Sequence, residues 1–386
     1  MIATHDTTSP RGKARRGAAR RRLALFGCLL CALVPAASAR AEVTWEVTGS
    51  GWGHGIGMSQ WGAFGYAKHG KSWKKILHHY YRHTKLGKAK GGNVRVLLQA
   101  GPDSVDFTDA TRACGKDLEE QKTYTAVRDG SSVHLRSPDG QDLGGCGDSL
   151  QATGGEAVRV IDKGTYRGTL VILPRDSGGL YVINAVSLEG YVKGVLPNEM
   201  PTDWPANALR AQAVAARSYG LATGAGGGLF DQYDDTRSQV YGGIGSETAA
   251  SNQAVKATAG KVVKHGGKVA TTFYFSTSGG RTENIEFSFV GADPKPYLKS
   301  VKDPFEDASP YHRWKQTYSQ DQMESKLGDL VQGSLQSIDV TKRGRSPRIV
   351  SAKVVGSGGT TTVSGPTLQS RLGLRSTWAF FNKTGS

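Results

Sequence analysis

One carboxylate in this sequence sits where acid–base chemistry would need it. Glu199 lies in the run Val195-Leu196-Pro197-Asn198-Glu199-Met200-Pro201, between two helix-like segments. Val195, Leu196, Met200 and Trp204 surround it in sequence. Apolar surroundings desolvate a carboxyl, raise its pKa and keep a proton available for donation. The position equally suits a carboxylate that meets the dipole of the next helix, which Pro205 opens. The residues by themselves leave both roles open.

Other constellations carry less. Gly65–Ser72 fits the G-x-x-x-x-G-K-S pattern of a phosphate-binding loop, but no apolar strand precedes it to aim the backbone N–H groups. Ser72-Trp73-Lys74-Lys75 fits S-x-x-K and lacks the companion motifs of penicillin-binding proteins. Asp231, Asp234 and Asp235 do not form a helix–loop–helix calcium site, because Thr236 and Gly242 stand where glycine and glutamate are needed. They read as a solvated turn. His79 and His83 share a helix face beside His78, but zinc would need a third ligand. Surface histidines on an aromatic-packed helix are expected, with no metal and no cofactor.

Cys28 and Cys31 fall in an N-terminal leader, which leaves Cys114 and Cys146. In an exported chain such a pair reads as one disulfide closing a loop of about 30 residues, which stabilises by roughly 3 kcal/mol in the chain-entropy model. A zinc site using His134 is the weaker alternative, since there is no C-x-x-C.

The leader itself is legible. Arg15, Arg16, Arg20, Arg21 and Arg22 precede the short apolar run Leu23–Val34, and Ala37-Ser38-Ala39 offers a cleavage site. That order marks a secretory signal over residues 1–39. An uncleaved anchor and a lipidated Cys28 fit less well. The doubled arginines suit either the general or the twin-arginine route. The chain is 386 residues long with a formal charge of +16. Residues 1–39 hold seven basic side chains and one acid, so the body keeps +10. A basic body suits polyanionic partners, with nucleic acid not expected for an exported chain. With 38% hydrophobic residues it can bury a real core, which excludes disorder.

The elements that must position Glu199 follow from periodicity. Residues 93–99 alternate as a strand, and strand-like runs return at 157–162, 169–173, 180–184 and 269–275. Residues 71–84 have helical spacing, and 85–92 read as a basic Gly/Lys linker. The stretch 100–155 is polar and turn-rich. A short helix capped by Ser187 is expected to stop at Pro197, and an Ala-rich helix to start at Pro205. Strands again fill 334–364, and a short helix 365–375. The mix implies a strand-rich α+β fold with helices flanking the Glu199 loop.

Four blocks carry a family resemblance: 188–219 (LEGYVKGVLPNEMPTDWPANALRAQAVAARSY), 234–243 (DDTRSQVYGG), 273–284 (FYFSTSGGRTEN) and 51–81, which begins GWGHGIGMSQWGAFG. The chain resembles the SpoIID/LytB (stage II sporulation protein D) family over most of residues 49–380. In that family the last of these blocks usually ends the domain, whereas here it follows the leader. The resemblance therefore implies a circular permutation, with 40–92 as the moved block and linker and 93–386 as the main region. Residues 51–65 should then pack near Glu199.

The resemblance implies a peptidoglycan lytic transglycosylase, secreted to the cell envelope, with Glu199 as its acid. Tyr191, Gln212, Arg217, Ser238, Gln239, Tyr241, Ser276, Ser278, His54, Ser59 and Gln60 are expected to include substrate contacts, and Trp52 or Trp61 to stack on a sugar. The other class it implies is a non-catalytic, wall-binding enhancer of a partner N-acetylmuramoyl-L-alanine amidase. No membrane insertion is expected after signal cleavage.

Overall fold

The computed structural model describes residues 43–385, so the expected leader lies outside the described residues. Within that range the chain is mixed and strand-rich, with its longest helices in the middle. A seven-stranded sheet has at its centre the antiparallel strands Asn93–Ala100, Leu180–Ser187 and Thr169–Pro174. Val94, Val96 and Leu98 of the first are buried, as their alternation demands.

The sheet feeds the helix that matters. Strand Leu180–Ser187 runs straight into α3 (Leu188–Glu199), which follows α1 (Gln60–Lys68) and α2 (Trp73–Tyr80) in the chain. The Ser187 hydroxyl accepts the Gly190 N–H and caps α3. Leu188, Tyr191, Val192, Val195 and Leu196 form its buried stripe. Each such side chain contributes roughly 1.5–3 kcal/mol on burial, so the stripe holds the rotation of the helix.

Helix α4 (Ala206–Ala222) is nearly all buried and alanine-rich. Small side chains let α1, α2 and α3 all pack against it. One large core joins these helices to the sheets. A second core lies under strands Thr44–Gly49, Leu335–Arg343 and Ile349–Gly356, around Trp45, Met323 and Leu368. Strand Thr44–Gly49 pairs with Ala379–Thr384, Thr44 opposite Thr384. The two ends of the described chain therefore lie side by side, where a short turn could join them.

Several sequence expectations change. Pro197 does not stop α3, which continues to Glu199. A proline in the last turn removes one N–H, while the Gly194 carbonyl still receives Asn198 Nδ2 at 2.7 Å and the Gly242 N–H at 3.0 Å. Glu199 thus ends a helix rather than lying in a loop. The 85–92 linker contains strand Lys85–Lys88, paired with Lys261–His265. The stretch 100–155 holds strands whose short apolar alternations, such as Val105/Phe107 and Val133/Leu135, are buried between polar turns. The run 269–275 breaks into two short strands. His83 lies past the end of α2 with φ 58°, so it shares no helix face with His79.

Cys114 and Cys146 form a disulfide across 32 positions. Replacing both with serine is expected to lower stability by about 3 kcal/mol, read as the urea midpoint under non-reducing conditions. A loss below about 1 kcal/mol would mean that the crosslink scarcely restricts the unfolded chain.

Candidate active site

A cleft of about 540 Å³ opens beside the C-terminal end of α3. Glu199 lines it, together with Tyr219 of α4, the 236–240 loop, the 273–276 segment, Trp52 and His54. Gln369 and Arg375 close it from the smaller core. Glu199 is the one carboxylate among the described lining residues.

Glu199 is only 8% exposed. Burial pushes its carboxyl up from the ordinary 4.5, while the Val240 N–H and the Tyr274 hydroxyl pull the other way. The Val240 N–H donates to Oε1 at 3.1 Å. The direction of the Tyr274 bond is set by a relay. Tyr191 donates its hydroxyl to Gln239 Oε1 at 2.9 Å, so the amide nitrogen of Gln239 faces away and donates to Tyr274 OH at 2.6 Å. Tyr274 then has its single proton free for Glu199.

The Gly-rich block stands against this carboxylate. Gln60 Nε2 donates to the Glu199 backbone carbonyl at 2.7 Å, and the Trp61 N–H donates to the Ser276 carbonyl at 3.0 Å. Residues 51–65 therefore pack beside Glu199, far away though they are in sequence. The glycines permit it: Gly57 has φ 76°, and a Cβ there would run into the Phe273 carbonyl. Strand Met58–Ser59 pairs in parallel with Tyr274–Phe275. Ser59 caps α1 by accepting the Gly62 N–H.

His54 is fixed as well. Its Nδ1 accepts the Ile56 N–H at 3.0 Å, so Nε2 carries the proton and donates to the Tyr274 carbonyl at 3.1 Å. Burial, and then the Arg348 charge, lower its pKa to about 4. It is neutral at pH 7.

The expected site residues divide. Glu199, His54, Ser238, Gln239 and Ser276 line the cleft, as does Trp52. Gln60 and Tyr191 do not, but they hold groups that do. Five others are buried outside the lining, and all but Gln212 are held by partners in the interior or in turns. Arg217 forms an ion pair with Glu189 and bonds the Lys261 carbonyl. Tyr241 donates to Asn184. Ser59 is a helix cap, and Ser278 accepts the Gly280 N–H. Gln212 is fully buried on α4. Trp61 packs on Phe64 and Trp204 instead of lining the cleft. Sequence reading missed Tyr274, Tyr219, Arg237 and Arg375. Tyr274 stood in a quoted block, and its hydroxyl was the one signal that could have singled it out.

The comparisons with known proteins bear on this site. A family model described as stage II sporulation protein (SpoIID) matches residues 176–265, which include Glu199 and α4. Over that stretch the chain is similar to the SpoIID family. Stage II sporulation protein D of Bacillus amyloliquefaciens is 33% identical over 229 residues, covering 55% of this chain and 65% of that protein. Its Bacillus subtilis counterpart is 31% identical over the same length. An amidase enhancer of Bacillus subtilis is 41% identical over 144 residues, 37% of this chain and 19% of that protein. The chain thus spans under two thirds of the length of each of these relatives.

The raised Glu199 pKa has a stability consequence. The folded carboxyl holds its proton more tightly than the unfolded one, so its contribution to stability falls as pH rises through the unfolded value near 4.5. Glu199→Gln is therefore expected to be at least as stable as the parent at pH 7. Its relative advantage should shrink toward pH 4. Thermal melts across that range check the sign, and a variant clearly less stable at pH 7 would contradict it.

Proposed function

We propose that this chain is an exported cell-envelope enzyme that cuts peptidoglycan glycan strands as a lytic transglycosylase. The observation that carries the reading is the single buried carboxyl, Glu199, with its raised pKa, in an otherwise carboxylate-free cleft lining. Ordinary glycosidases need two carboxyl groups about 5–9.5 Å apart. A lytic transglycosylase needs one, because the substrate supplies its own nucleophile.

The proposed steps need only the groups of the cleft and the substrate. Protonated Glu199 gives its proton to the oxygen linking N-acetylmuramic acid to the next sugar. The C1–O bond breaks, the leaving sugar keeps that proton as a hydroxyl, and C1 becomes oxocarbenium-like. The C6 hydroxyl oxygen of the same muramic residue attacks C1, and Glu199, now a carboxylate, takes its proton. A 1,6-anhydro ring closes and the acid is regenerated without water. The Tyr274 hydroxyl and the Val240 N–H stabilise the carboxylate between the two transfers. Trp52 and Tyr219 offer faces for sugar rings, while Ser238 and Ser276 offer hydroxyls. The cleft supplies these groups without a metal or cofactor having a role in any step.

The second reading is a wall-binding module that stimulates an amidase. It is favoured by the likeness to the amidase enhancer. Neither reading needs a membrane span, and no helix among the described residues is long and apolar enough to form one.

Mass spectrometry of soluble products from purified glycan strands, peptide-bearing and amidase-stripped, tests the enzyme. Products ending in 1,6-anhydro-N-acetylmuramic acid are expected from the parent, with a loss of at least about 100-fold in Glu199→Gln. Reducing ends would indicate hydrolysis instead. No products at all, with faster turnover by an added amidase, would favour the module. Tyr274→Phe removes a donor that lowers the Glu199 pKa. It should slow turnover and move the high-pH limb of kcat/KM upward, since the acid form then persists to higher pH. An unmoved limb would show that Tyr274 does not bond to the reacting carboxyl.

A further inference from the structure

Away from the cleft, two cavities of about 470 and 720 Å³ share Arg281 and Arg345 in their walls. Lys302, Pro347 and Trp378 line the first, and Lys299 the second. None of these residues lines the Glu199 cleft.

The arrangement of charge here is costly. Arg281 and Lys302 stand opposite each other in an isolated antiparallel bridge. The bridging hydrogen bonds run from the Thr282 N–H to the Val301 carbonyl and from the Asp303 N–H to the Gly280 carbonyl. They flank the pair, so Arg281 and Lys302 form the non-hydrogen-bonded kind, in which side chains come closest. Like charges so placed repel. Lys299 is neutralised by Glu286, but Arg281, Lys302 and Arg345 have no carboxylate partner among the described residues. Arg281 has only a long contact of 3.4 Å to the Ser300 hydroxyl.

The turn that carries the third cation is fixed in place. The buried Glu283 carboxylate accepts the Arg345 N–H at 2.9 Å, the Ser346 N–H at 3.0 Å and the Ser346 hydroxyl at 2.6 Å. That clamp fixes the turn that presents Arg345. Beneath it lies Arg348, fully buried, with its guanidinium 5.8 Å from the Trp378 ring centre. Nη1 of Arg348 bonds the Arg281 carbonyl, while Nε and Nη2 have no partner. Repulsion between ordered cations is relieved by an anion placed among them.

We infer that the Arg281–Lys302–Arg345 furrow is a binding site for an anionic polymer of the phosphodiester class. Donors reach the space from two separate elements, the 281/302 bridge and the 344–348 turn, which suits a tetrahedral oxyanion better than a planar carboxylate. Trp378, Pro304 and Pro347 give the first cavity apolar walls for the carbon links between phosphates. The second cavity continues past the same two arginines, with the Lys299–Glu286 ion pair also in its wall. Such a site would hold the protein on a phosphate-rich wall while leaving the cleft free.

The test uses the mature chain and a synthetic glycerol-phosphate oligomer, with binding followed by calorimetry at several salt concentrations. Arg281→Gln/Arg345→Gln is expected to bind at least about tenfold more weakly and with a shallower salt slope. Glu199→Gln should bind as the parent does. Polyglutamate of matched charge is the control for the carboxylate class. Equal affinity for polyglutamate, or an unchanged affinity in the double variant, would overturn the inference. The melting temperature gives a second readout that needs no variant: the oligomer should raise it in the parent, and no rise would also overturn the site. Because the variant relieves repulsion, it should melt no lower than the parent without ligand.

Discussion

The structure around Glu199 answers to one constraint. A carboxyl withdrawn from water holds its proton more tightly, yet its oxygens still need donors of fixed direction once it ionises. Burial at 8% exposure meets the first need. The Val240 N–H and the Tyr274 hydroxyl meet the second. A tyrosine has one proton to give, and two partners compete for its oxygen. The Tyr191–Gln239 pair resolves that competition by occupying the acceptor side of Tyr274. The 239–240 and 274 segments are thereby pinned to the Glu199 end of α3.

The remainder of the fold can be read as what it takes to bring those stretches together. The central sheet sets the start of α3, and its buried stripe sets the rotation at which Glu199 emerges twelve residues later. Alanines on α4 let three helices close on it without leaving room for larger side chains. The Gly-rich block reaches the same point from the other end of the chain, and Gln60 fastens it to the Glu199 carbonyl. Because Thr44 and Thr384 pair in one sheet, the order of the blocks along the chain can change while their places in space do not.

Much of this was legible from residue patterns. Helix α4, strand Asn93–Ala100 and the disulfide pair all follow from spacing and composition, since each depends on local periodicity or on a lone pair of cysteines. The strands within 100–155 were hidden, because runs of two to six residues give too short an alternation against polar turns. Pro197 misled for a different reason. A proline removes one helix bond, but near a helix end the neighbouring carbonyls find other donors, here Asn198 and Gly242. Among candidate contacts, the hydroxyl, amide and guanidinium groups of Arg217, Tyr241 and Gln212 look the same in sequence whether they face a cleft or the interior. Only the partner decides. For Arg217 it is Glu189, and neither residue lines the cleft.

Arg348 shows how the interior charge and the cleft depend on each other. Its guanidinium lies 5.8 Å from the ring centres of both Phe275, which lines the Glu199 cleft, and Trp378, which lines the basic furrow. A buried cation is costly unless anions or ring faces compensate it. Glu283 and Glu306 supply the charge that favours its ionised form. The same cation disfavours protonation of His54, which burial already opposes. His54 therefore stays neutral, keeps the tautomer that donates to the Tyr274 carbonyl, and holds the backbone from which the Tyr274 side chain reaches Glu199. A protonated imidazole could not accept the Ile56 N–H, and the Gly-rich block would lose one of its fixed turns. Burial and the buried Arg348 charge thus together keep His54, in the wall of the cleft, uncharged.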